Sequence, residues 1–534
     1  MLLLAVAIQA HDLDRPFTGR HDFATAHEAV LARNHVRYGL SDTRGRPTFT
    51  RYQPPYPDAR RFYPDHPPLT DLLLAGSLAL FGEHDWAIRL LPAACSAAAV
   101  ALVMSIANGV YGRRVALLAG TAMSLLPIEF YFGRIANHEP VVLALWLAAL
   151  RGYLGWMMPE RFGERARRDA GLFAAATILS MLTGWVAFLQ AALVALHYLT
   201  CRGRRSAAGW ALVLLPAIVG GSLTLAQILL MFDGRIENVW AVFRFRAGLS
   251  DSEEPFTFAG WLARQARWGW QNFGVIGLAL AAIGAGAALF DRRSADAPHS
   301  LRSDAPSDAA PQYHRPGWLL GTAGLLFVVI FRSGSYNHEY WWLHVTPGAA
   351  LCVAVGIDWL LRSRRRGPVA GVLVPALLLA GLAAENAVFW NRYRHENRLA
   401  ARAYEACRFI RTHSRADATI YGNRGLWIRR EYHAGAMGFM QPQTDWCLDR
   451  RYEHARSPAE LQRIAPQCRF YLWIGQEQRD RPVLEYLVQN ARLLARFSQA
   501  AVFDLTQPAQ RGATPGSRVR RESSHYREGL YGPR

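Results

Sequence analysis

Residues 63–69 read YPDHPPL. Three prolines, an aspartate and a histidine share these seven positions. A helix cannot run through them, because proline lacks a backbone donor and pushes the residue before it out of the helical region. The stretch is therefore a rigid polar elbow. The run that follows, LTDLLLAGSLALFG, is apolar but short of the ~20 residues a spanning helix needs, which suits a re-entrant or interfacial helix.

Outward from the elbow the chain is a series of apolar runs. Candidate spans cover 86–108, 115–132, 140–158, 170–184, 185–200, 208–231, 271–290, 316–331, 341–361 and 368–390. Residues 170–200 also fit one long helix, but two short ones around TGW suit the charge pattern better. The opening MLLLAVAIQA lacks the basic region and cleavage site of a signal peptide and reads as the outer end of a further span. The expected fold is mainly α, a polytopic membrane protein of about eleven transmembrane helices. A large first outer loop covers 11–85, and a small C-terminal α/β domain follows.

The charge pattern orients these spans. The chain has 534 residues, is 51% hydrophobic and carries a net charge of +19. Its mean hydropathy is +0.02, the average of membrane-embedded and polar parts. It has no lysine, so arginine supplies every fixed side-chain positive charge. The links YGRRV, PERFGERARRD, CRGRRS, LRSRRRG and the stretch 291–315 fall between alternate spans. The positive-inside rule makes that side cytoplasmic. This accounts for much of the basic balance and excludes a nucleic-acid role, whose footprint is one clustered basic face. Residues 291–315, rich in Ser, Ala, Asp and Pro, read as a flexible linker.

From about residue 391 the pattern changes. ATIYGN, CRFYLWIG and AAVFDLT read as strands. LAARAYEACRFIRTH, SPAELQRIA and VLEYLVQNARLL read as helices between them. The domain boundaries are 1–390 for the transmembrane part, 391–510 for an extracytoplasmic α/β domain and 511–534 for a disordered tail. No cysteine pair has CxxC spacing, so a zinc site has no support. Cys447 and Cys468 read equally as a disulfide in an oxidising compartment or as two free thiols.

Unusual chemistry gathers on the outer face in four clusters. GRHDFATAHEA holds His21, Asp22, His27 and Glu28. YPDHPPL holds Tyr63, Asp65 and His66. YFGRIANHEP holds Arg134, Asn137, His138 and Glu139, and RSGSYNHEYWW holds Arg332, Tyr336, Asn337, His338, Glu339 and Tyr340. Ionisable groups near membrane depth are costly and by default mark function. Each also has a plain structural reading. Asp22 suits a helix cap. Glu139 suits the positive end of a helix. Trp341 and Trp342 suit an interfacial belt. His66 and His338 suit satisfied structural histidines.

An acid in the first outer loop, a helix ending ARNHVRYG, then YPDHPPL, FGEHDWAIRLLPA and a second acid after YFGRIANHE together resemble the class C (GT-C) glycosyltransferases. Within that class the sequence is most similar to protein O-mannosyltransferases, the aminoarabinose transferases of lipid A and the RgtA/B/C/D-like group. The resemblance is specific over 12–155 and rests mainly on layout as far as 390. It implies an inverting enzyme that moves a sugar from a polyprenyl-phosphate carrier to an envelope acceptor: lipid, glycan or protein. The family's first-loop acid falls on Asp22 as base, its second acid on Glu139. Its proline motif falls on His66, Pro67 and Pro68, and its late outer loop on Tyr336–Tyr340. The familial acid pair is broken by Phe23 here, which counts against a divalent metal, the one candidate cofactor. Arg89 is also a family feature.

The implied chemistry matches the residue types. A departing phosphate needs cations and donors, supplied by His66, Arg134, His138, Arg332, Tyr336, His338 and Tyr63. A hydroxyl acceptor needs a base as it attacks. The expected place is a bacterial cytoplasmic membrane, crossed many times, with the site on the periplasmic side. The competing reading is a transporter or flippase of lipid-linked sugars, which would show paired broken helices and internal repeats. No repeat is evident in the sequence. A third reading makes the C-terminal domain a sensor of an envelope ligand, but it carries no GxGxxG phosphate loop.

Overall fold

The computed structural model describes residues 2–43, 45–48, 66–163, 165–201, 205–231, 234, 236–249, 257–290, 316–362, 368–394, 398–423, 446–475, 481–497 and 500–509. Tyr63, Asp65, the 291–315 linker and the 511–534 tail lie outside them. The chain forms two compact units, with the second beginning at Arg398.

The first unit is helical. It comprises α1 (Leu2–Ala10), α2 (Asp22–Tyr38), α3 (Leu40–Thr43), α4 (Leu69–Phe81), α5 (Asp85–Tyr111), α6 (Arg113–Leu125), α7 (Pro127–Phe132), α8 (His138–Met157) and α9 (Pro159–Phe162). Then come α10 (Ala166–Met181), α11 (Val186–Thr200), α12 (Ala207–Met231), α13 (Glu237–Ala247), α14 (Phe258–Phe290), α15 (Leu319–Ile330), α16 (Arg332–Asn337), α17 (Thr346–Arg362) and α18 (Pro368–Tyr393). A 3-10 segment, Glu339–Val345, leads into α17. Among the described residues six helical stretches are long and apolar enough to cross a membrane. Exposed leucines and valines such as Leu230 on α12 and Val372 on α18 are the side chains a bilayer would cover.

Several spans are interrupted where the sequence read as continuous. The run 115–132 breaks at Leu126, whose extended backbone (ψ 131°) is what the following Pro127 demands. The run from 271 begins earlier, at Phe258, and is broken at Gly274 (φ 70°, ψ 168°). There the Glu385 carboxylate on α18 accepts from the N–H groups of Val275 (2.9 Å) and Ile276 (3.2 Å), so the second half of α14 starts with its donors satisfied. The run 170–200, by contrast, is two helices separated by Leu182–Trp185, as the charge pattern predicts.

The two ends of the bundle differ in kind. Where α6 begins and α17 ends, Arg114 and Arg362 pair with Asp358 at 3.2 and 2.8 Å. Where α8 ends and α10 begins, Arg151 pairs with Asp169 at 3.3 Å. The opposite ends, at the starts of α5, α8 and the segment before α17, carry the His- and acid-rich clusters.

The second unit holds α19 (Arg398–His413), α20 (Pro458–Ile464), α21 (Arg481–Asn490) and five strands: β1 (Thr419–Gly422), β2 (Arg451–His454), β3 (Tyr471–Ile474), β4 (Arg492–Arg496) and β5 (Ala500–Asp504). The sheet order is β2-β1-β3-β5-β4, with β1 parallel to β2 and β3, and β5 antiparallel to β3 and β4. The expected helix through ARLL stops at Asn490. Its last residues instead pair with β5, where cross-strand partners outweigh a helical pattern. Ser457 caps α20 by accepting the Glu460 N–H at 3.2 Å, and the Glu460 carboxylate accepts the Arg456 N–H. All six cysteines are free. The Cys447 and Cys468 thiols donate to the carbonyls of Tyr404 (3.4 Å) and Phe470 (3.1 Å).

Candidate active site

Asp22 is the first residue of α2 and fully buried. It does not cap its helix. The carboxylate turns back to accept the Gly19 N–H at 2.7 Å. Arg15 meets both oxygens, Nη1 to Oδ2 at 2.9 Å and Nη2 to Oδ1 at 3.1 Å. Arg89 approaches Oδ2 to 3.7 Å, and its Nη1 donates to the carbonyls of Leu13 (2.8 Å) and Arg15. Two buried guanidinium groups thus fix one buried carboxylate. Arg15 also lies over the rings of Tyr131 (5.2 Å) and Trp390 (5.5 Å).

The same loop reaches the other clusters. The Tyr131 hydroxyl donates to the Arg20 carbonyl (3.0 Å), and the Arg20 side chain pairs with Glu339 and covers Tyr393 at 4.9 Å. Thr25 accepts the Ala136 N–H at 3.2 Å, seating the first turn of α2 on the turn that leads to Glu139. Asn137 caps α8 by accepting from Glu139 N at 3.2 Å.

Beside this lies a cluster of imidazoles. His66, placed by the proline elbow just before α4, stacks on His138 with ring centroids 3.5 Å apart and planes at 32°. The His138 Nε2 is 3.0 Å from a Glu139 oxygen. Burial, then His138, Arg246, His338 and His27, hold the His66 pKa well below its usual value. The Tyr340 hydroxyl meets His338 Nδ1 at 2.8 Å. His27 Nδ1 lies 3.3 Å from Glu28, and Glu28 is hydrogen-bonded to Asp71 on the short helix α4. Burial and the adjacent Glu28 raise the Asp71 pKa well above the carboxylate range. The four sequence clusters therefore meet at one end of the bundle.

Not every expected residue joins them. Arg134 is fully buried and turned to the carbonyls of Phe130 (3.1 Å from Nε) and His11, between the rings of Phe130 and Trp390. Arg332 is exposed at the start of α16. Tyr336 sits under the Arg264 guanidinium at 3.8 Å. Three participants escaped the sequence reading: Arg15, Asp71 and Arg246. Arg15 lies seven residues before Asp22, and only its nearness to an outer-loop acid signalled it. Asp71 sits in an apolar run, where a lone carboxylate was itself a signal. Arg246 lies on a helix that had no motif. Thirteen of the seventeen residues of α2 are buried, including His27, Glu28, Arg33, Asn34 and His35. His27 and Glu28 belong to the site, whereas Asn34 donates to the Thr48 carbonyl (2.7 Å) and His35 meets the Thr43 hydroxyl (3.2 Å) in the segment after the helix.

A divalent cation does not fit at Asp22. The carboxylate is already bracketed by Arg15 and Arg89, whose charges repel a cation. Among the described residues no group of three His, Cys, Asp or Glu side chains is arranged to hold a metal.

The dolichyl-phosphate-mannose-protein mannosyltransferase family model matches residues 65–219. ArnT from Cupriavidus metallidurans, bound to undecaprenyl phosphate, superposes with a TM-score of 0.63 at 14% identity, over 94% of this chain and 97% of that one. The fold is that of the class C glycosyltransferases. The class C architecture extends to the Archaeoglobus fulgidus oligosaccharyltransferase in its apo form, with a TM-score of 0.52 at 10% identity over 89% of this chain and 69% of that one. It extends also to AglB from the same organism, in complex with an inhibitory peptide and a dolichol-phosphate, with a TM-score of 0.51 at 11% identity over 95% and 74%. No curated protein matches the sequence.

Proposed function

We propose that this chain is a glycosyltransferase that moves a sugar from a polyprenyl-phosphate carrier to an acceptor hydroxyl at the outer face of a bacterial cytoplasmic membrane. One observation carries the proposal. Residues from four separated segments, including His27, His66, His138 and His338, converge with Arg246 in a fold shared with proteins that bind undecaprenyl phosphate and dolichol-phosphate. The arginine-rich links at the far end of the bundle support the outer placement of this cluster.

In this reading the carrier phosphate is the leaving group. Arg246 and the imidazoles of His66 and His338 take up the charge that grows as the glycosidic bond breaks. Asp22 receives the proton of the attacking hydroxyl, and Glu139 orients the acceptor. Arg15 and Arg89 supply the counter-charge for Asp22 and fix its position. One displacement, with acceptor and leaving group in line, inverts the anomeric carbon. The isoprenoid tail takes the apolar groove of about 530 Å³ between α14 and α17, lined by Leu262, Phe273, Trp342, Val345, Ala349 and Val353.

The test compares envelope lipids, glycans and glycoproteins from a wild-type strain, a deletion strain and an Asp22→Asn strain. A sugar modification missing from both mutants supports the proposal. Identical envelopes in all three contradict it.

A further inference from the structure

The stacked histidines carry a consequence for how the donor binds, and it rests on the function proposed above. His66 and His138 have ring centroids 3.5 Å apart with planes tilted by 32°, too close for both to be cationic unless a further anion stands beside His66. The groups around them are mixed. Arg246 on α13, His338 before the 3-10 segment and His27 on α2 bear on His66. Glu139 at 3.0 Å, Asp71 on α4 and His344 before α17 bear on His138. Glu28 couples to Asp71 and His27. The permanent cation in this set is Arg246. Every other positive charge depends on an imidazole taking a proton, and the chain has no lysine to substitute.

We propose that the carrier phosphate binds together with a proton, which the His66–His138 pair takes up as the phosphate arrives. The sugar-linked donor is a phosphodiester with one negative charge, and the carrier it releases is a monoester with about −1.5 to −2 charges at neutral pH. Glu139 already faces His138 at 3.0 Å; beside His66 the phosphate supplies the second anion that makes an imidazolium stable there, so the bound complex holds a proton that the free protein lacks. Burial and the neighbouring cations depress the His66 pKa in the free protein, and the arriving anion raises it. Linkage fixes the sign: affinity is greatest at low pH and falls as pH rises through the bound-state pKa. The donor site is thereby a cation assembled by its ligand, and product carrier leaves more readily where the outer compartment is alkaline.

The experiment uses the full chain in nanodiscs with undecaprenyl phosphate as probe. Calorimetric titration in buffers of different ionisation enthalpy counts protons exchanged on binding, and the affinity is followed from pH 5.5 to 8.5. The wild type is expected to take up close to one proton above neutral pH and to lose affinity towards tenfold per pH unit. His66→Lys, which carries a fixed charge, is expected to bind with a flat profile and no uptake. Wild-type binding without proton uptake overturns the inference while leaving the proposed function standing. Uptake that persists unchanged in His66→Lys places the proton on the phosphate and also overturns it. Absence of binding at every pH overturns both.

Discussion

Arg89 on α5 reaches within 3.7 Å of the Asp22 carboxylate on α2, and both side chains are fully excluded from solvent. The guanidinium also holds the Leu13 and Arg15 carbonyls, so it ties the first outer loop to a membrane helix. Replacing it leaves Asp22 with one counter-charge fewer and leaves the carbonyls without these donors. Arg89→Met is expected to cost about 3–5 kcal/mol of stability. Thermal unfolding in detergent checks it, and a melting temperature equal to wild type contradicts this role.

The Gly19 backbone donates to the Asp22 carboxylate at 2.7 Å. A Cβ there would overlap the Tyr131 hydroxyl and come within 2.6 Å of Arg15 and 3.0 Å of Asp22. Tyr131 cannot swing away without losing its bond to the Arg20 carbonyl. Gly19→Ala is expected to lower transfer at least tenfold, chiefly in kcat, by displacing the carboxylate. Initial rates against donor concentration measure this.

Much of the arrangement was readable from residues alone. The prolines of YPDHPPL predicted that no helix runs through to α4, which begins at Leu69, and the arginine links marked one end of the helices as distinct from the end rich in histidines and acids. The resemblance, not the spacing, pointed to Asp22 and Glu139. The ion pairing of Asp22 was illegible, because Arg15, Arg89 and Asp22 meet only after α2 and α5 pack. Arg134 had the right neighbours in sequence, yet it turns to backbone carbonyls that no pattern reveals. Helix breaks at Leu126 and Gly274 also escaped the hydropathy runs, because apolar content does not report backbone angles. Pro127 was the available cue for the first. Glu385, more than a hundred residues away, completes the second.

That second break makes a coupled pair. Glu385 accepts the N–H groups of Val275 and Ile276, which would otherwise face lipid unsatisfied. A Cβ on Gly274 would overlap the same carboxylate and would force a side chain into φ 70°. Glu385→Ala and Gly274→Ala are each expected to destabilise the protein by about 1–3 kcal/mol. In the double variant the effects are expected to be less than additive, since the clash is gone. A double-mutant cycle of unfolding free energies in one detergent checks this.

Acid should weaken the first outer loop. Burial, with Arg20 adding to it, lowers the His21 pKa to about 3, and burial lowers that of His35 to about 4. The unfolded chain binds these protons near pH 6.5, so between about 4 and 6.5 it holds more of them than the folded protein does. Stability is therefore full above about 6.5 and falls as pH drops, by up to about 1.4 kcal/mol per pH unit for each histidine. His35→Gln is expected to flatten part of the slope. Unfolding midpoints from pH 7 to pH 4 measure it.

The most direct measurement uses purified protein in liposomes with a polyprenyl-phosphate-linked radiolabelled sugar and an envelope extract as acceptor. The wild type is expected to move label onto an acceptor with inversion at the anomeric carbon. Asp22→Asn is expected to bind the carrier but transfer at least a hundredfold more slowly. Equal transfer by the two proteins would contradict the account, as would movement of intact carrier across the bilayer with no sugar transferred.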